Sequence, residues 1–125
     1  MKQISSISVA GAGNVAHLLA SALHDKGIQV NCVWNRTHEK ATVLADRIAS
    51  KATNDMQEMQ GSDVIICAVS DDALGDLIPR LSRFAPVVST SGTANVLDLD
   101  HAFPVGVFYP LQSFSRSRSI DLSEV

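Results

Sequence analysis

The hydrophobic period of this chain changes abruptly between residues 11 and 14, and this change restricts the fold more than any other feature. Residues 4–9 have the apolar spacing of a short strand, whereas apolar side chains from Val15 to Leu23 recur at helical spacing. Two glycines, Gly11 and Gly13, lie at the change. The pattern therefore predicts a strand that turns directly into a helix.

The same alternation of strand and helix continues along the chain. Residues 63–69 form a nearly continuous apolar run, which is expected of a central parallel strand covered on both faces. Ser70 can cap the helix that follows, with Asp71 and Asp72 in its first turn. Further strands are predicted at residues 28–34, 52–53, 86–90 and 105–109, and a further helix has its apolar face at Ala41, Leu44, Ala45 and Ile48. The polar residues 54–62 fit either a short helix or a loop. The expected fold class is α/β, a doubly wound and mostly parallel sheet.

Composition excludes several classes of protein. The chain has 125 residues and a net charge of −3, and its one basic stretch, residues 115–118, is short, which argues against nucleic acid as the main partner. We find no apolar window of membrane-spanning length and no signal-like apolar start, so we expect a cytoplasmic protein without a membrane partner. Cys32 and Cys67 lie in apolar runs without metal-ligand spacing, which predicts buried thiols and no metal site.

The glycine turn matches a nucleotide-binding pattern. Gly11 permits a tight turn, Gly13 lets a ligand approach the backbone, and Ala16 is small enough for the helix to pack close to the strand. Gly-x-Gly-x-x-Ala is the alanine variant of the dinucleotide fingerprint, in which unpaired N–H groups at the helix start face a pyrophosphate. The predicted contact residues are Gly11, Ala12, Gly13, Asn14 and Val15. The alternative is that the glycines serve packing only.

The end of the second strand indicates which dinucleotide would bind. An NAD site usually has a carboxylate there for the ribose 2′-hydroxyl, whereas this chain has Asn35, Arg36 and Thr37, with Lys40 one turn beyond. Two cations can pair with a 2′-phosphate, and Asn35 and Thr37 can donate to it. The sequence therefore favours NADP. The alternative is that Arg36 and Lys40 only solvate a helix start that Thr37 caps.

Five short motifs occur together along nearly the whole chain: GAGNV at 11–15, NRTHEKA at 35–41, AVSDDA at 68–73, STSGT at 89–93 and YPLQSF at 109–114. In this combination the chain resembles the Rossmann-like DUF2520 family. That family is related to pyrroline-5-carboxylate reductase and to the NADP-binding domain of coenzyme F420-dependent NADP oxidoreductases. The resemblance implies that Asn35, Arg36, Thr37 and Lys40 match the 2′-phosphate cluster. It also implies that Val69 and Ser70 match the strand end beside the nicotinamide half.

The chain departs from this family in two respects. Relatives often have histidine where this chain has Ser89 and Tyr109, which puts a proton-transfer role at those positions in doubt. Similar proteins also continue into a C-terminal helical domain that forms the substrate pocket and usually a homodimer. We therefore expect residues 1–114 to be the NADP-binding domain and residues 115–125 to be a polar tail that leads toward an absent domain.

These features predict an oxidoreductase that transfers hydride between NADP(H) and a small imine or carbonyl substrate, with this domain alone binding cofactor without turnover. Catalytic residues are not assigned. Ser91, Tyr109 and Gln112 are polar candidates for hydrogen bonding to a substrate, and the alternative is that they cap turns or satisfy local backbone groups. One alternative function is a non-catalytic NADP(H)-sensing or scaffold module, which the loss of histidine at positions 89 and 109 favours. Another is an S-adenosylmethionine site, although such a site usually has an acidic residue at the end of the second strand.

Overall fold

Six strands and three helices alternate along the chain in the computed structural model, which describes residues 4–90, 99 and 101–108. The strands are β1 (Ser6–Ala10), β2 (Gln29–Trp34), β3 (Ala52–Thr53), β4 (Val64–Cys67), β5 (Val87–Ser89) and β6 (Val105–Val107). The helices are α1 (Asn14–Asp25), α2 (His38–Arg47) and α3 (Asp71–Leu81), and a 3₁₀ helix spans Met56–Met59. The predicted two-residue third strand is present, and the ambiguous polar stretch contains the 3₁₀ helix.

All six strands are parallel, in the order β3-β2-β1-β4-β5-β6. Chain connections run outward from β1 in one direction and from β4 in the other. The carboxyl ends of these two central strands therefore flank a crevice, which is where open parallel sheets bind ligands. This arrangement confirms the predicted doubly wound α/β fold.

Helices cover both faces of the sheet. The buried faces of α1 and α2 pack with Ile7, Val9 and Ile66 in one apolar cluster. The buried face of α3 and the two methionines of the 3₁₀ helix pack on the opposite face with Ile65 and Cys67. Because β4 contributes to both clusters, all four of its residues are buried, as its continuous apolar pattern predicts.

Strand β2 contains a bulge that the sequence analysis does not predict. Ile7 pairs with Val30 and Val9 pairs with Val33, so β2 uses one more residue than β1 over the same distance. Val30 and Val33 consequently lie in the same apolar cluster although they are three residues apart. The side-chain amide of Asn31, which lies between these two residues, donates to the Ser62 hydroxyl over 2.9 Å.

A small polar network lies beneath the 3₁₀ helix. The hydroxyl oxygens of Ser8 and Ser62 are 2.6 Å apart, and both residues are buried. The Cys32 thiol donates to the Ser8 hydroxyl over 3.6 Å. Both cysteines are buried and free, as predicted. Across the described residues, no helix is long and apolar enough to span a bilayer.

Candidate functional site

A cleft of about 270 Å³ opens at the carboxyl edge of the sheet, beside the ends of β1, β2 and β4. It brings together residues that are far apart in the sequence. Seven of the predicted cofactor residues line it: Ala12, Gly13, Asn35, Arg36, Lys40, Val69 and Ser70. Trp34, Ala68, Ala73 and Leu77 complete the lining. The glycine turn and the basic end of β2 therefore belong to one site.

Gly11 shapes this site without lining the cleft. Its φ of +118° lies in the region that favours glycine, and a Cβ built there would be 2.2 Å from the carbonyl oxygen of Ala68. Its N–H donates to the carbonyl oxygen of Trp34 over 2.8 Å. Gly11 thus makes the expected tight turn, and it allows the turn to lie directly against the end of β4.

Gly13 has the opposite surroundings. It is exposed, it lines the cleft, and a Cβ added there would have no protein atom within 4 Å. It is also the N-cap residue of α1, whose first backbone N–H groups have no partner within the helix. The space above Gly13 is therefore open to a ligand that approaches the start of α1.

Acidic residues distinguish α1 from the other two helices that begin at this edge. The first turn of α3 contains Asp71 and Asp72, and the first turn of α2 contains Glu39, whereas the first turn of α1 contains no acidic residue. A carboxylate opposes a bound phosphate, and a helix N-terminus attracts one. Of these three helix starts, only that of α1 has no acidic side chain in its first turn to oppose a bound phosphate.

Part of the basic segment at the end of β2 reaches the cleft. Arg36 and Lys40 are exposed and line the cleft. Thr37 is the N-cap residue of α2, yet its hydroxyl makes no capping hydrogen bond, which leaves it available to a ligand. The Asn35 amide donates to the carbonyl oxygen of Thr37 over 3.0 Å. Asn35 therefore also holds the turn that carries Arg36 and Thr37.

Ser70 lies on the opposite side of the cleft. It is the N-cap residue of α3, but its hydroxyl makes no capping bond, contrary to the capping role that the sequence suggests. Buried Ala73 and Leu77 and half-buried Trp34 form an apolar wall beside it. This wall was missed by the sequence analysis, although helical spacing places Ala73 and Leu77 on one face of α3.

The cleft has the composition of a binding site. Two cations line it, and its described lining contains no carboxylate, imidazole or thiol. Cys67 lies at the nearby end of β4, but burial raises the pKa of its thiol to about 12, which excludes it as a thiolate at neutral pH. Asn14, Val15 and Thr37 adjoin the cleft in sequence without lining it. The candidates Ser91, Tyr109 and Gln112 lie outside the described residues.

Comparison with known proteins gives a family match over most of the chain. Residues 2–107 match the family described as shikimate / quinate 5-dehydrogenase. A curated relative, glutamyl-tRNA reductase from Methanococcus aeolicus, is 41% identical over 66 residues, which are 50% of this chain and 17% of that protein.

Solved structures share the fold. The "putative NADP oxidoreductase" from Bacteroides fragilis superposes with a TM-score of 0.74 and 33% identity, over 94% of this chain and 48% of that one. Pyrroline-5-carboxylate reductase from Coxiella burnetii gives a TM-score of 0.58 at 21% identity, over 70% of this chain and 35% of that one, which supports the fold alone. The chain spans less than half of the length of each of these relatives.

Proposed function

Because this chain belongs to the shikimate / quinate 5-dehydrogenase family and has the fold of an NAD(P)-binding, dehydrogenase-like domain, we propose that its cleft binds NADP(H) for an oxidoreductase. One observation carries the proposal: the open glycine turn at Gly13 and the two cations Arg36 and Lys40 line the same cleft. The turn suits a pyrophosphate, and the cations suit the 2′-phosphate that distinguishes NADP from NAD.

The preference for NADP rests on charge at the end of β2. No carboxylate stands at that strand tip to accept the 2′-hydroxyl of NAD. Arg36 pairs with the 2′-phosphate, Lys40 adds a second positive charge, and the Thr37 hydroxyl donates. A hydrogen bond to a charged group contributes about 1.5–3 kcal/mol, and about 1.4 kcal/mol is a tenfold change in affinity. A single such contact is enough to select NADPH over NADH.

We assign the remaining lining residues to the two ends of the cofactor. The apolar wall of Trp34, Ala73 and Leu77 takes the adenine end, and Val69 and Ser70 lie beside the nicotinamide end. When bound, NADPH supplies a hydride, and the protein's contribution is to hold and orient it. From the resemblance to the DUF2520 family we further propose that the substrate is a small imine or carbonyl compound. A helical domain that follows this one would bind that substrate and pair two subunits.

A titration followed by the fluorescence of Trp34, the one tryptophan in the sequence, tests the cofactor assignment. We expect NADPH to bind at least about tenfold more tightly than NADH, and Arg36→Ala to abolish this difference. Arg47→Ala is the matched control, since Arg47 is an exposed arginine at the other end of α2. Equal affinity for both cofactors in the unaltered protein, or equal effects of the two substitutions, would contradict the assignment.

Gly13→Ala tests the pyrophosphate position separately. The backbone angles at Gly13, φ −84° and ψ −169°, are accessible to alanine, so stability should change by no more than about 1 kcal/mol. The added methyl group occupies the open space above the turn, and we expect NADPH and NADH to bind at least about tenfold more weakly. Unchanged affinity for both cofactors in the folded variant would exclude this position for the pyrophosphate.

A second candidate function is a non-catalytic module that senses NADP(H). The observation that favours it is the described lining of the cleft, which holds no carboxylate, imidazole or thiol for proton transfer. The two functions differ in cofactor consumption. Oxidation of NADPH by the full-length protein with an imine or ketone would support the enzyme, whereas binding of a partner protein that changes with NADPH, without consumption, would support the sensor.

A further inference from the structure

A second cavity, of about 500 Å³, lies on the α3 side of the sheet next to the cofactor cleft. We call it the Arg83 cavity. One side of the cavity is lined by Asn54, Asp55, Met56 and Gln57, and the other side by Arg80, Arg83 and Phe84. Trp34 lies between the cavity and the cleft. Trp34 is the one residue that lines both spaces. The Arg83 cavity is therefore separate from the proposed cofactor site but adjoins it.

The charges in this cavity leave one guanidinium available. Arg80 donates to the carboxylate of Asp76 over 3.0 Å, as an i,i+4 pair on α3. The Asp55 carboxylate accepts the backbone N–H of Gln57 over 2.9 Å and caps the 3₁₀ helix. Arg83 makes no side-chain hydrogen bond or ion pair with any described residue. Its planar group keeps five N–H donors, the arrangement that pairs with a carboxylate or phosphate.

The rest of the cavity suits an aromatic ring. Trp34 and Phe84 are half-buried and Met56 is buried, so two aromatic rings and a thioether present apolar surface within it. Aromatic and thioether side chains make favourable contacts with a bound ring. The exposed amides of Asn54 and Gln57 add hydrogen-bonding groups at the rim. The lining thus combines an apolar surface from three side chains with five polar or charged residues, and the volume of the cavity falls within the usual range of small-molecule sites.

We propose that the Arg83 cavity binds a small aromatic anion, with the ring against Trp34 and Phe84 and the anionic group on Arg83. This site does not depend on the proposed cofactor function, because the only lining residue it shares with the cleft is Trp34. Its ligand also contacts the second side of that tryptophan. The indole therefore reports a ligand in either space, and the arginine variants described below separate the cavity from the cleft.

Nuclear magnetic resonance of the ¹⁵N-labelled protein tests this proposal, since the only tryptophan gives a single indole N–H signal. The probes are 2-naphthoate, 2-naphthyl phosphate, neutral 2-naphthalenemethanol and acetate. We expect both aromatic anions to shift the indole signal saturably, with acetate and the neutral alcohol at least about tenfold weaker. The stronger of the two anions identifies the preferred anionic group. Equal binding of the alcohol and the anions, or no saturable shift by either anion, would overturn the proposal.

Two arginine variants then locate the bound anion. Arg83 is exposed, so Arg83→Ala should leave the fold intact, weaken the aromatic anions at least about tenfold and leave NADPH affinity unchanged. Arg83→Lys should restore part of the affinity, because the charge returns without the planar group. Arg36→Ala is the control in the cofactor cleft and should not change binding of the anions. If Arg36→Ala weakens them as much as Arg83→Ala does, the anions bind in the cleft and the proposal is wrong.

Discussion

Gly11 and Gly13 are two residues apart, yet they meet different physical requirements. The Cβ position at Gly11 is filled by the end of β4, whereas the Cβ position at Gly13 faces open space. Gly11 is therefore needed by the fold itself, and Gly13 is needed only if something binds above it. A glycine pattern in a sequence cannot separate these two roles, because both produce the same residue.

At Gly11 we predict a loss of stability that does not depend on ligand. Alanine there would place a methyl group 2.2 Å from the Ala68 carbonyl oxygen at a φ of +118°, and overpacking together with backbone strain should cost about 2–4 kcal/mol. Urea denaturation of the ligand-free protein measures this cost. Gly75→Ala is the matched control, since a Cβ added at Gly75, in exposed helix, meets nothing within 4 Å, and it should stabilise by about 0.5–1 kcal/mol. Equal stability of the Gly11 variant and the unaltered protein would contradict the prediction.

The basic end of β2 shows how far sequence reasoning reaches at single residues. Residue type and position in the strand were enough to place Arg36 and Lys40 at one edge of the sheet. Sequence reasoning could not predict the hydrogen bond from Asn35 to the carbonyl oxygen of Thr37. It also could not predict that the Ser70 hydroxyl makes no capping hydrogen bond to α3. Both features depend on local angles that the same residue types satisfy in several ways.

At the scale of elements, the short strand β3 is held by side chains as well as by its pairing with β2. The hydroxyl of Thr53 donates to the Glu58 carboxylate, and the ammonium of Lys51 lies 2.6 Å from the same carboxylate. These bonds join the two sides of the turn that leads from β3 into the 3₁₀ helix. A two-residue strand has little backbone pairing of its own, so this network secures its end.

We predict that the contribution of this network depends on pH. Hydrogen bonds from Lys51 and then Thr53 lower the pKa of Glu58 below its ordinary value of 4.5, and the bond to Glu58 raises the pKa of Lys51 above its ordinary value of 10.5. The contribution of Glu58 to the free energy of unfolding is complete at pH values above its ordinary pKa, and it is lost as pH falls through the lowered pKa. The contribution of Lys51 is complete at pH values below its ordinary pKa, and it is lost as pH rises through the raised pKa.

Thermal unfolding of Glu58→Gln from pH 2 to pH 11 measures this dependence. The difference in Tm between the unaltered protein and the variant should be constant from about pH 5 to pH 10 and should shrink on the acid side. Because the pair is exposed, the difference should also shrink in 1 M salt. Lys51→Met removes the positive charge of the same ion pair, and its Tm is compared with that of the unaltered protein in the same way. A difference that stays constant down to pH 2 would show that Glu58 acts through packing instead of charge.

Strand and helix types were predictable at the element scale because burial imposes period 2 or period 3.6 on apolar residues. The two-sided burial of β4 was visible in its unbroken apolar run. The bulge in β2 was not, since the extra residue between Val30 and Val33 alters register without altering composition. The cavity around Arg83 was also not predictable, because it depends on how the 3₁₀ helix packs beside the end of α3.

At the scale of the whole molecule, the sheet supports two proposed sites whose residues come from separate segments of the sequence. Its carboxyl edge carries the proposed cofactor cleft, its α3 side carries the Arg83 cavity, and Trp34 lines both. Because the cofactor cleft lies beside the ends of the central strands β1, β2 and β4, we expect a ligand bound there to stabilise the sheet as a unit. Binding at 100 times Kd adds about 2.7 kcal/mol to the free energy of unfolding.

The two cysteines allow this coupling to be measured. Cys32 on β2 and Cys67 on β4 are both fully buried, and burial raises the pKa of each thiol. A thiol reagent therefore reacts with either residue only after the sheet opens. If the sheet opens as one unit, both cysteines react at the same rate, and this rate follows the free energy of unfolding when closing is faster than labelling.

Labelling with a thiol-reactive reagent, quantified for each cysteine by mass spectrometry, should give equal rates in the ligand-free protein. NADPH at 100 times Kd should slow both reactions about a hundredfold, since about 2.7 kcal/mol is a factor of 100. In Arg36→Ala the same NADPH concentration should slow them much less, which separates loss of binding from loss of cooperativity. Faster labelling of Cys67 alone would show that β4 opens locally, and the sheet would then not be a single cooperative unit. Because β4 pairs with both β1 and β5 and has all four residues buried, we expect it to open only when the whole sheet does.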